Sequence, residues 1–221
     1  MSATAPDDPI VTFFDAHADR YWRQMRFERR ALRAVAQLAE PLVGARVVDL
    51  GTGTGGVLAA LDDRGPRVAA LIAVDSSTRM LECARSTLWR VEPPPHFVRA
   101  DARSVPLSDG AADVVTAGYL LHLLDAAAQR AVLTEAFRLL RPEGRLIVVV
   151  HSSPRGLAGF VYRAIWRSLA LAHRRDRLRY RPMIDIVPTV QEAGFLVDAT
   201  WHVPGVYWSQ VLRARRPAAR R

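Results

Sequence analysis

The stretch VVDLGTGTGGVLAAL, residues 47–61, decides the fold. It runs from a short apolar strand through an acid and a glycine-rich turn into the start of a helix. The glycines Gly51, Gly53 and Gly55 permit a sharp turn, and their missing Cβ atoms let a ligand lie against the backbone. Amides at the start of the following helix point towards such a ligand. The stretch therefore predicts a loop that holds a nucleoside-bearing cofactor.

Two other interpretations of this loop stay open at this point. A glycine cluster between a strand and a helix can be only a tight connection. Gly51, Gly53 and Gly56 also match the dinucleotide spacing G-x-G-x-x-G, and Asp75 lies near the expected distance downstream. The loop by itself does not exclude NAD and an oxidoreductase.

Length and composition predict one globular domain. The chain has 221 residues, of which 50% are hydrophobic and 24% charged. Cys83 is the only cysteine, which excludes an internal disulfide and a cysteine-cluster metal site, and we expect no metal. The start MSATAPDDPI has neither a basic nor an apolar segment, and no run approaches the length of a membrane-spanning helix. We expect a soluble, cytoplasmic protein.

The positive charge is concentrated in the last third of the chain. All 31 basic residues are arginine. Residues 1–150 carry 18 arginines and 18 acids, whereas residues 151–221 carry 13 arginines and 4 acids, so the whole excess of +9 lies there. This asymmetry indicates an anionic neighbour such as a lipid headgroup, an acidic substrate or nucleic acid. A solvated basic face and tail is the alternative.

Apolar runs and helical spacings alternate along the chain. A first helix is predicted over residues 13–42, and strands follow at 47–50, 68–74, 96–100, 112–117, 145–150, 195–203 and 206–212. Helices are predicted after the glycine loop and over 78–89, 125–140 with Asp125 as cap, 156–172 and 188–193. The pattern predicts an α/β fold: a Rossmann-like, mostly parallel seven-stranded sheet with helices on both faces and a C-terminal antiparallel hairpin.

The domain is expected to be organised in five segments. They are an N-terminal helical cap (10–44), a cofactor-binding core (45–151), a basic lid insertion (152–186), the last helix and hairpin (187–213) and a disordered tail (214–221). The lid contains the very basic run HRRDRLRYRP.

Four motifs occur in order: VVDLGTGTGG, IAVDSSTRML, RADARSVPLSDGAADVV and LLRPEGRLIVV. With them the chain, from about Phe13 to Arg213, resembles the class I S-adenosylmethionine-dependent methyltransferases. The resemblance is greatest to the small-molecule branch that includes the ubiquinone and menaquinone biosynthesis enzymes. It implies S-adenosylmethionine as cofactor, S-adenosylhomocysteine as product and a small-molecule acceptor.

The acid at the end of the first strand favours this cofactor over NAD. Asp49 lies in the pattern D-x-G-x-G-x-G, and a dinucleotide does not need an acid there, whereas a ligand with a cationic amino-acid part does. The resemblance implies that Asp75 accepts hydrogen bonds from the ribose hydroxyls and that Asp101 binds the adenine amino group. An aspartate after a strand also caps helices, so Asp101 can have either role. The other implied cofactor contacts are Gly51, Thr52, Gly53, Gly55, Ser76, Met80, Ala102, Ala117 and Gly118.

The acceptor side is predicted less directly. Methyl transfer requires mainly that donor and acceptor be held in line without water, and a base is needed only for a hydroxyl or an acidic carbon. Candidates for the base are His122, His151 and Tyr119, although packing also explains a histidine in YLLHLL. The resemblance implies that the first helix and the insertion cover the acceptor, through Phe14, Tyr21, Trp22, Met25, Phe160, Tyr162 and Trp166. Aromatic residues at helical spacing also form cores, so this assignment rests on topology.

The aromatic residues predict a hydrophobic or aromatic acceptor. The basic amphipathic lid permits the more specific hypothesis that this acceptor is a lipid, a quinone-like ring or another hydrophobic metabolite, reached at an anionic membrane surface. Nucleic acid is a weaker candidate, because no N-P-P-Y-like tetrad and no RNA-binding module occurs in the sequence. An NAD-type oxidoreductase and a non-catalytic S-adenosylmethionine-binding protein remain as alternatives. The methylated atom and the oligomeric state are not predicted.

Overall fold

The computed structural model describes residues 9–63, 68–154, 156–172, 184–205 and 207–218, with side chains except at 19–26 and 169–172. The strands are β1 (Arg46–Leu50), β2 (Ala70–Asp75), β3 (His96–Arg99), β4 (Ala112–Gly118), β5 (Leu140–His151), β6 (Leu196–Val203) and β7 (Ser209–Arg215). The helices are α1 (Pro9–Ala39), α2 (Gly56–Asp62), α3 (Thr78–Thr87), α4 (Ala126–Leu139), α5 (Gly156–Ala172) and α6 (Val187–Glu192), with a 3-10 turn at Leu121–Leu123.

All seven strands form one sheet in the order β3-β2-β1-β4-β5-β7-β6. Strand β7 is antiparallel to β5 and β6, and the other neighbouring strands are parallel. The strand order reverses between β1 and β4, and in open α/β sheets such a reversal leaves a crevice at the carboxyl ends of the strands. The predicted Rossmann-like sheet and its C-terminal hairpin are confirmed.

Helices cover both faces because successive strand residues point to opposite sides. Val47 and Ile147 pack with α1, α2 and α3 in one core, while Val48 and Val148 pack with α4 and α6 in the other. The continuous apolar strands predicted from sequence are therefore buried on both faces.

Two strand boundaries differ from the sequence prediction. Strand β5 begins at Leu140, five residues before its predicted start at residue 145, and Leu140 pairs with Ala112 across an irregularity in the ladder. Strand β7 begins three residues late and continues to Arg215, so the tail predicted from residue 214 is too long. Arg213 and Arg215 face outward and bind Asp198 of β6, at 2.7 and 3.0 Å, while Ala214 between them is buried. The end of β7 was not predicted because outward-facing arginines alternate with a buried residue there, and charged residues are not typical of a strand.

The helix boundaries agree more closely. Asp125 caps α4, because its Oδ1 accepts a hydrogen bond from the Ala128 amide at 2.8 Å, as predicted. Helix α1 begins at Pro9, four residues before the predicted start. Within the described part of the chain, no helix combines the length and the apolar character needed to cross a membrane.

Candidate functional site

The glycine-rich loop leaves β1 in a left-handed conformation. Gly51, Gly53 and Gly55 have φ values of +66°, +53° and +86°, which side chains with a Cβ rarely adopt. A Cβ on Gly51 would lie 3.0 Å from the Leu120 side chain, and one on Gly55 would lie 2.9 Å from that of Leu88. A Cβ on Gly53 would approach nothing closer than 4.0 Å. Gly53 therefore borders open space, whereas the other two glycines are packed against the core.

Asp49 lies beneath this loop at the end of β1. Its carboxyl group is 1% exposed and accepts hydrogen bonds from Thr52 Oγ1 at 2.8 Å and from Thr116 Oγ1 at 2.6 Å. Burial raises the pKa of Asp49 to about 6, against the lowering effect of the two threonines, and the charge of Asp75 raises it further. Because Thr116 belongs to β4, the acid spans the crevice between the two central strands.

Asp75, at the end of β2, connects the loop to α3. Its Oδ2 accepts the Gly53 amide at 2.8 Å, and its Oδ1 accepts the Ser77 amide at 2.9 Å. The Ser77 hydroxyl donates to Asp15 of α1 and accepts from the Met80 amide at 3.0 Å. Burial raises the pKa of Asp75, the two amide hydrogen bonds lower it, and Asp15 adds to the increase. The first helix therefore reaches the cofactor loop through Asp15.

Asp49 and Asp75 form a pair of acids without a cation. Among the described residues no arginine forms an ion pair with either carboxylate. A buried carboxylate is costly unless a positive group or hydrogen-bond donors compensate for it. Together with the open space at Gly53, the pair fits a ligand that carries an ammonium group and hydroxyl donors.

The residues predicted to contact adenine are arranged differently from expectation. Asp101 binds Arg103, whose Nε lies 2.9 Å from both carboxylate oxygens and whose amide donates at 2.8 Å. These contacts, acting against partial burial, lower the pKa of Asp101. Asp101 therefore caps a turn, and no helix follows it in the described chain before residue 121, which corrects the helix-cap interpretation. An adenine amino group would share this carboxylate with Arg103.

The remaining predicted cofactor residues lie at the carboxyl ends of the strands, in the loops after them or, for Met80, in the first turn of α3. Met80 is buried, and Ser76 and Ala102 are half-buried. Gly118 ends β4 so close to α2 that a Cβ there would lie 2.5 Å from Val57 Cγ2. Ala117, which precedes it, is buried in the sheet. The cofactor roles of these residues remain predictions.

All three candidate bases meet in one aromatic cluster. The His151 ring stacks on His122, with centroids 4.5 Å apart, and on Tyr207 at 5.0 Å. Tyr119 packs edge-on against both histidines, at 4.8 Å from His151 and 6.0 Å from His122. Trp166 lies 5.6 Å from Tyr207 and extends the cluster to α5. We call these five residues the aromatic cluster.

A buried acid of α1 reaches this cluster. Glu28 is 3% exposed, and its Oε1 lies 3.9 Å from His151 Nε2, which is buried without a hydrogen bond to any described residue. Glu28 was not predicted from the sequence as a site residue, although it precedes Ala31, Leu32 and Val35 at helical spacing on the buried face of α1. An acidic residue at a core position of an amphipathic helix is the sequence feature that could have identified Glu28.

Tyr119 is held in a strained conformation with its phenol protonated. Its φ is +54°, its amide donates to Val149 O at 2.8 Å, and its hydroxyl lies 2.9 Å from Ser209 Oγ. Burial and the nearby charge of Glu28 raise the pKa of Tyr119 above its ordinary value. Tyr119 can therefore donate a hydrogen bond but is a poor base at neutral pH.

The predicted acceptor contacts lie in different environments. Tyr162 and Trp166 lie on the inner face of α5, with ring centroids 6.0 Å apart, and the Tyr162 hydroxyl accepts the Trp208 amide at 3.4 Å. Phe160 is 66% exposed, and this corrects its assignment: two residues along a helix rotate the side chain by about 200°, to the opposite face from Tyr162. Phe14 is half-buried and packs edge-on against Phe13 at 5.4 Å. The side chains of Tyr21, Trp22 and Met25 and the run HRRDRLRYRP lie outside the described residues.

No group of three metal-binding side chains occurs among the described residues. In the described part of the chain, the site brings together two hydrogen-bonded carboxylates that form no ion pair, a glycine loop with open space at Gly53, and an adjoining aromatic cluster with a histidine–glutamate pair.

Similarity to known proteins supports a common family. Residues 47–144 match the family described as "Methyltransferase domain". A demethylmenaquinone methyltransferase from Clavibacter sepedonicus is 36% identical over 150 residues, which cover 66% of this chain and 54% of that protein. A ubiquinone/menaquinone biosynthesis C-methyltransferase from Geotalea uraniireducens is 31% identical over 162 residues, which cover 69% of this chain and 67% of that protein. The chain spans about three fifths of the length of several curated relatives that it matches.

Solved structures share the fold. The crystal structure of magnesium protoporphyrin IX methyltransferase from Synechocystis PCC 6803, with bound SAH, superposes with a TM-score of 0.73 at 18% identity. The superposition covers 94% of this chain and 98% of that one.

Proposed function

The chain belongs to the family of S-adenosylmethionine-dependent methyltransferases that includes the ubiquinone/menaquinone biosynthesis C-methyltransferases, and we propose that it methylates a small hydrophobic acceptor. One observation carries the proposal. Two acids, the buried Asp49 and the half-buried Asp75, form no ion pair with any described residue and flank an open glycine loop at the point where the strand order reverses.

The cofactor would bind across these two acids. Asp49 would attract the ammonium group of the methionine part, because a positive charge offsets the cost of burying its carboxylate. Asp75 uses one lone pair of each oxygen for the Gly53 and Ser77 amides and keeps the others for ribose hydroxyls. Gly53 would let the ligand touch the backbone, since no neighbouring atom fills the space of its missing Cβ.

When bound, S-adenosylmethionine supplies a methyl group already activated for in-line transfer. The residues of the aromatic cluster then have to hold an acceptor and exclude water. Its rings offer flat apolar surfaces for an aromatic acceptor. Tyr119 would donate a hydrogen bond from its protonated hydroxyl.

His151 would remove a proton from an acceptor that must lose one. The carboxylate of Glu28 next to Nε2 favours the tautomer with hydrogen on Nε2, which leaves a lone pair on Nδ1. Glu28 would also stabilise the imidazolium that forms when Nδ1 accepts the proton. His122 would stack on the His151 ring and limit its rotation.

Each of the two alternative functions leaves a feature of the site unexplained. An NAD-type oxidoreductase does not explain Asp49, because a dinucleotide has no cationic group for the end of the first strand. A non-catalytic S-adenosylmethionine-binding protein would not need a buried Glu28–His151 pair next to the cofactor loop. We favour the enzyme for that reason.

We also propose a chemical class for the acceptor. Relatives named for demethylmenaquinone and for ubiquinone/menaquinone methylation make a quinone-like ring the first class to test. Such molecules partition into lipid, so we propose that the acceptor is met at a membrane surface rather than in bulk water.

A labelled-methyl screen tests the function. Purified protein is incubated with S-adenosylmethionine tritiated in the methyl group and with separate pools of quinones, phenols, amines and lipids. We expect transfer to a quinone or phenol pool, and no transfer by the Asp75→Ala variant. Absence of transfer to every pool, together with intact cofactor binding, would favour the non-catalytic alternative.

A further inference from the structure

Helix α5 exposes an apolar stripe to solvent. Leu157, Phe160, Val161 and Ile165 are 80%, 66%, 49% and 54% exposed. Leu157, Val161 and Ile165 are spaced four residues apart and Phe160 follows Leu157 by three, so all four lie along one side of the helix. We call these four residues the outer stripe. Large apolar side chains exposed together are typical of a binding surface.

The opposite side of the same helix faces the aromatic cluster. Trp166 contacts Tyr207, and Tyr162 contacts both Trp166 and the Trp208 amide. Helix α5 thus carries the outer stripe on one face and contacts the aromatic cluster through the other. A molecule bound to the outer stripe would lie one helix diameter, about 10 Å, from the cluster.

The charges beside the stripe define the partner. Arg163 and Arg167 are exposed on one flank of the stripe, and α5 contains no acidic residue. Arg163 also donates to Ser153 Oγ at 2.9 Å, which leaves Arg167 as the cleaner probe of charge. An apolar face bordered by arginines fits the boundary between anionic headgroups and acyl chains, where a helix lies in the plane of the membrane.

We propose that the outer stripe docks α5 on an anionic lipid bilayer. The apolar side chains enter the acyl boundary, and the guanidinium groups of Arg163 and Arg167 bind lipid phosphates. The inference deepens the proposed function and rests on it only for the acceptor: a hydrophobic molecule would pass from the bilayer along α5 to the aromatic cluster.

Vesicle flotation tests the docking directly. Vesicles of phosphatidylcholine are compared with vesicles that also contain phosphatidylglycerol, and we expect the full chain to float mainly with the anionic ones. Phe160→Ser should weaken this binding about tenfold or more, because a large apolar side chain no longer enters the membrane. Arg167→Glu should weaken it at least about fivefold, with a greater loss at low salt.

Two matched substitutions serve as controls. Leu196→Ser removes a comparably exposed apolar side chain from β6, and Arg130→Glu reverses an exposed arginine of α4. Neither should change flotation. Calorimetry with S-adenosylhomocysteine should give the same affinity for all four variants, so a failure of docking is distinguished from a failure of the cofactor assignment.

Three outcomes would overturn the proposal. They are no binding to either vesicle, equal losses for Phe160→Ser and Leu196→Ser, and a concentration-dependent dimer in sedimentation that Phe160→Ser abolishes. The last outcome would assign the outer stripe to a second copy of the chain.

Discussion

Glu28 Oε1 lies 3.9 Å from His151 Nε2, with both groups buried between α1 and the end of β5. One residue comes from the N-terminal helix and the other from the strand before the α5 insertion. The acid–imidazole contact therefore links α1, which is expected to cover the acceptor, to the strand that leads into the α5 insertion. Catalytic hydrogen bonds are often longer in a free enzyme than in its complex with substrate, so this distance suits a pair that tightens on binding.

His151→Ala is expected to reduce kcat by about 100-fold or more for an acceptor that must lose a proton. Added imidazole should restore part of this loss, which a purely structural histidine would not show. His96→Ala, at an exposed position on β3, is the matched control and should leave kcat unchanged. Steady-state methyl transfer measures both, and equal kcat values for His151→Ala and the wild type would remove His151 from the mechanism.

Glu28→Gln is expected to lower kcat about tenfold while the affinity for S-adenosylhomocysteine stays constant. Glu28 acts through His151 as a positioning residue, so the change should appear in kcat and not in the KM for the cofactor. In the His151→Ala background the same substitution should have little further effect, because the two residues act as a unit. Additive losses would contradict the pairing.

Asp49→Asn is expected to stabilise the free protein and weaken cofactor binding. Removal of a buried charge whose pKa is raised to about 6 should increase the free energy of unfolding by up to about 3 kcal/mol at pH 7. The same change should lower the affinity for S-adenosylhomocysteine at least about tenfold, since its ammonium loses a charged partner. Urea denaturation and calorimetry measure the two effects, and unchanged affinity would reject the role of Asp49.

Asp113→Asn is a control that should change the free energy of unfolding in the opposite direction to Asp49→Asn. Asp113 binds Arg46 and Arg141, and although partial burial works the other way, these contacts lower its pKa to about 2. A carboxylate whose pKa is depressed by folding stabilises the folded state at pH values above its unfolded-state pKa. This contribution is lost as the pH falls through its folded-state pKa. Asp113→Asn should therefore destabilise the protein at neutral pH and leave cofactor affinity unchanged.

The raised pKa of Asp49 also predicts a pH dependence. The folded protein holds this proton up to about pH 6, whereas the unfolded chain releases it near the ordinary aspartate pKa of 3.8. The stabilising contribution of the protonated acid is complete below the unfolded pKa and is lost as the pH rises through 6. The stability difference between Asp49→Asn and the wild type should accordingly be small at pH 4 and full at pH 7. Cofactor affinity should fall as the pH drops below about 6.

Gly53→Ala, compared with Gly44→Ala, is expected to distinguish loss of the space that the ligand occupies from the cost of backbone strain. Gly53 and Gly44 both have positive φ values, of +53° and +71°, and neither has a neighbour close to the site of its missing Cβ. Alanine at either position should cost about 1 kcal/mol of stability. Only Gly53→Ala should also lower the affinity for S-adenosylhomocysteine, by about tenfold or more, because Gly44 lies before β1, away from the loop. Equal affinities for the two variants would show that the ligand does not approach Gly53.

Local patterns predicted the cofactor side of the molecule. The strand–glycine–helix stretch, Asp75 after β2 and the cap at Asp125 depend on residues that are neighbours in sequence. Periodicity and turn chemistry describe such features directly. Asp101 is the exception, since only the structure shows that Arg103 binds its carboxylate.

The acceptor side depends on contacts between distant segments. Glu28, His151 and Tyr207 come from three separate parts of the chain and meet only when α1 and the hairpin pack on the sheet. Phe160 was assigned to the wrong side because the apolar composition of α5 does not reveal which face is buried. Both failures arise from long-range packing, which a single sequence encodes weakly.

The central claim is that the Asp49–Gly53–Asp75 site binds S-adenosylmethionine. Calorimetric titration of the full chain with S-adenosylhomocysteine, and separately with NAD, tests it most directly. The site predicts one molecule of S-adenosylhomocysteine bound with micromolar or tighter affinity, no measurable binding of NAD, and loss of the former in Asp75→Ala. Binding of NAD in place of S-adenosylhomocysteine, or undiminished binding of S-adenosylhomocysteine by Asp75→Ala, would contradict it.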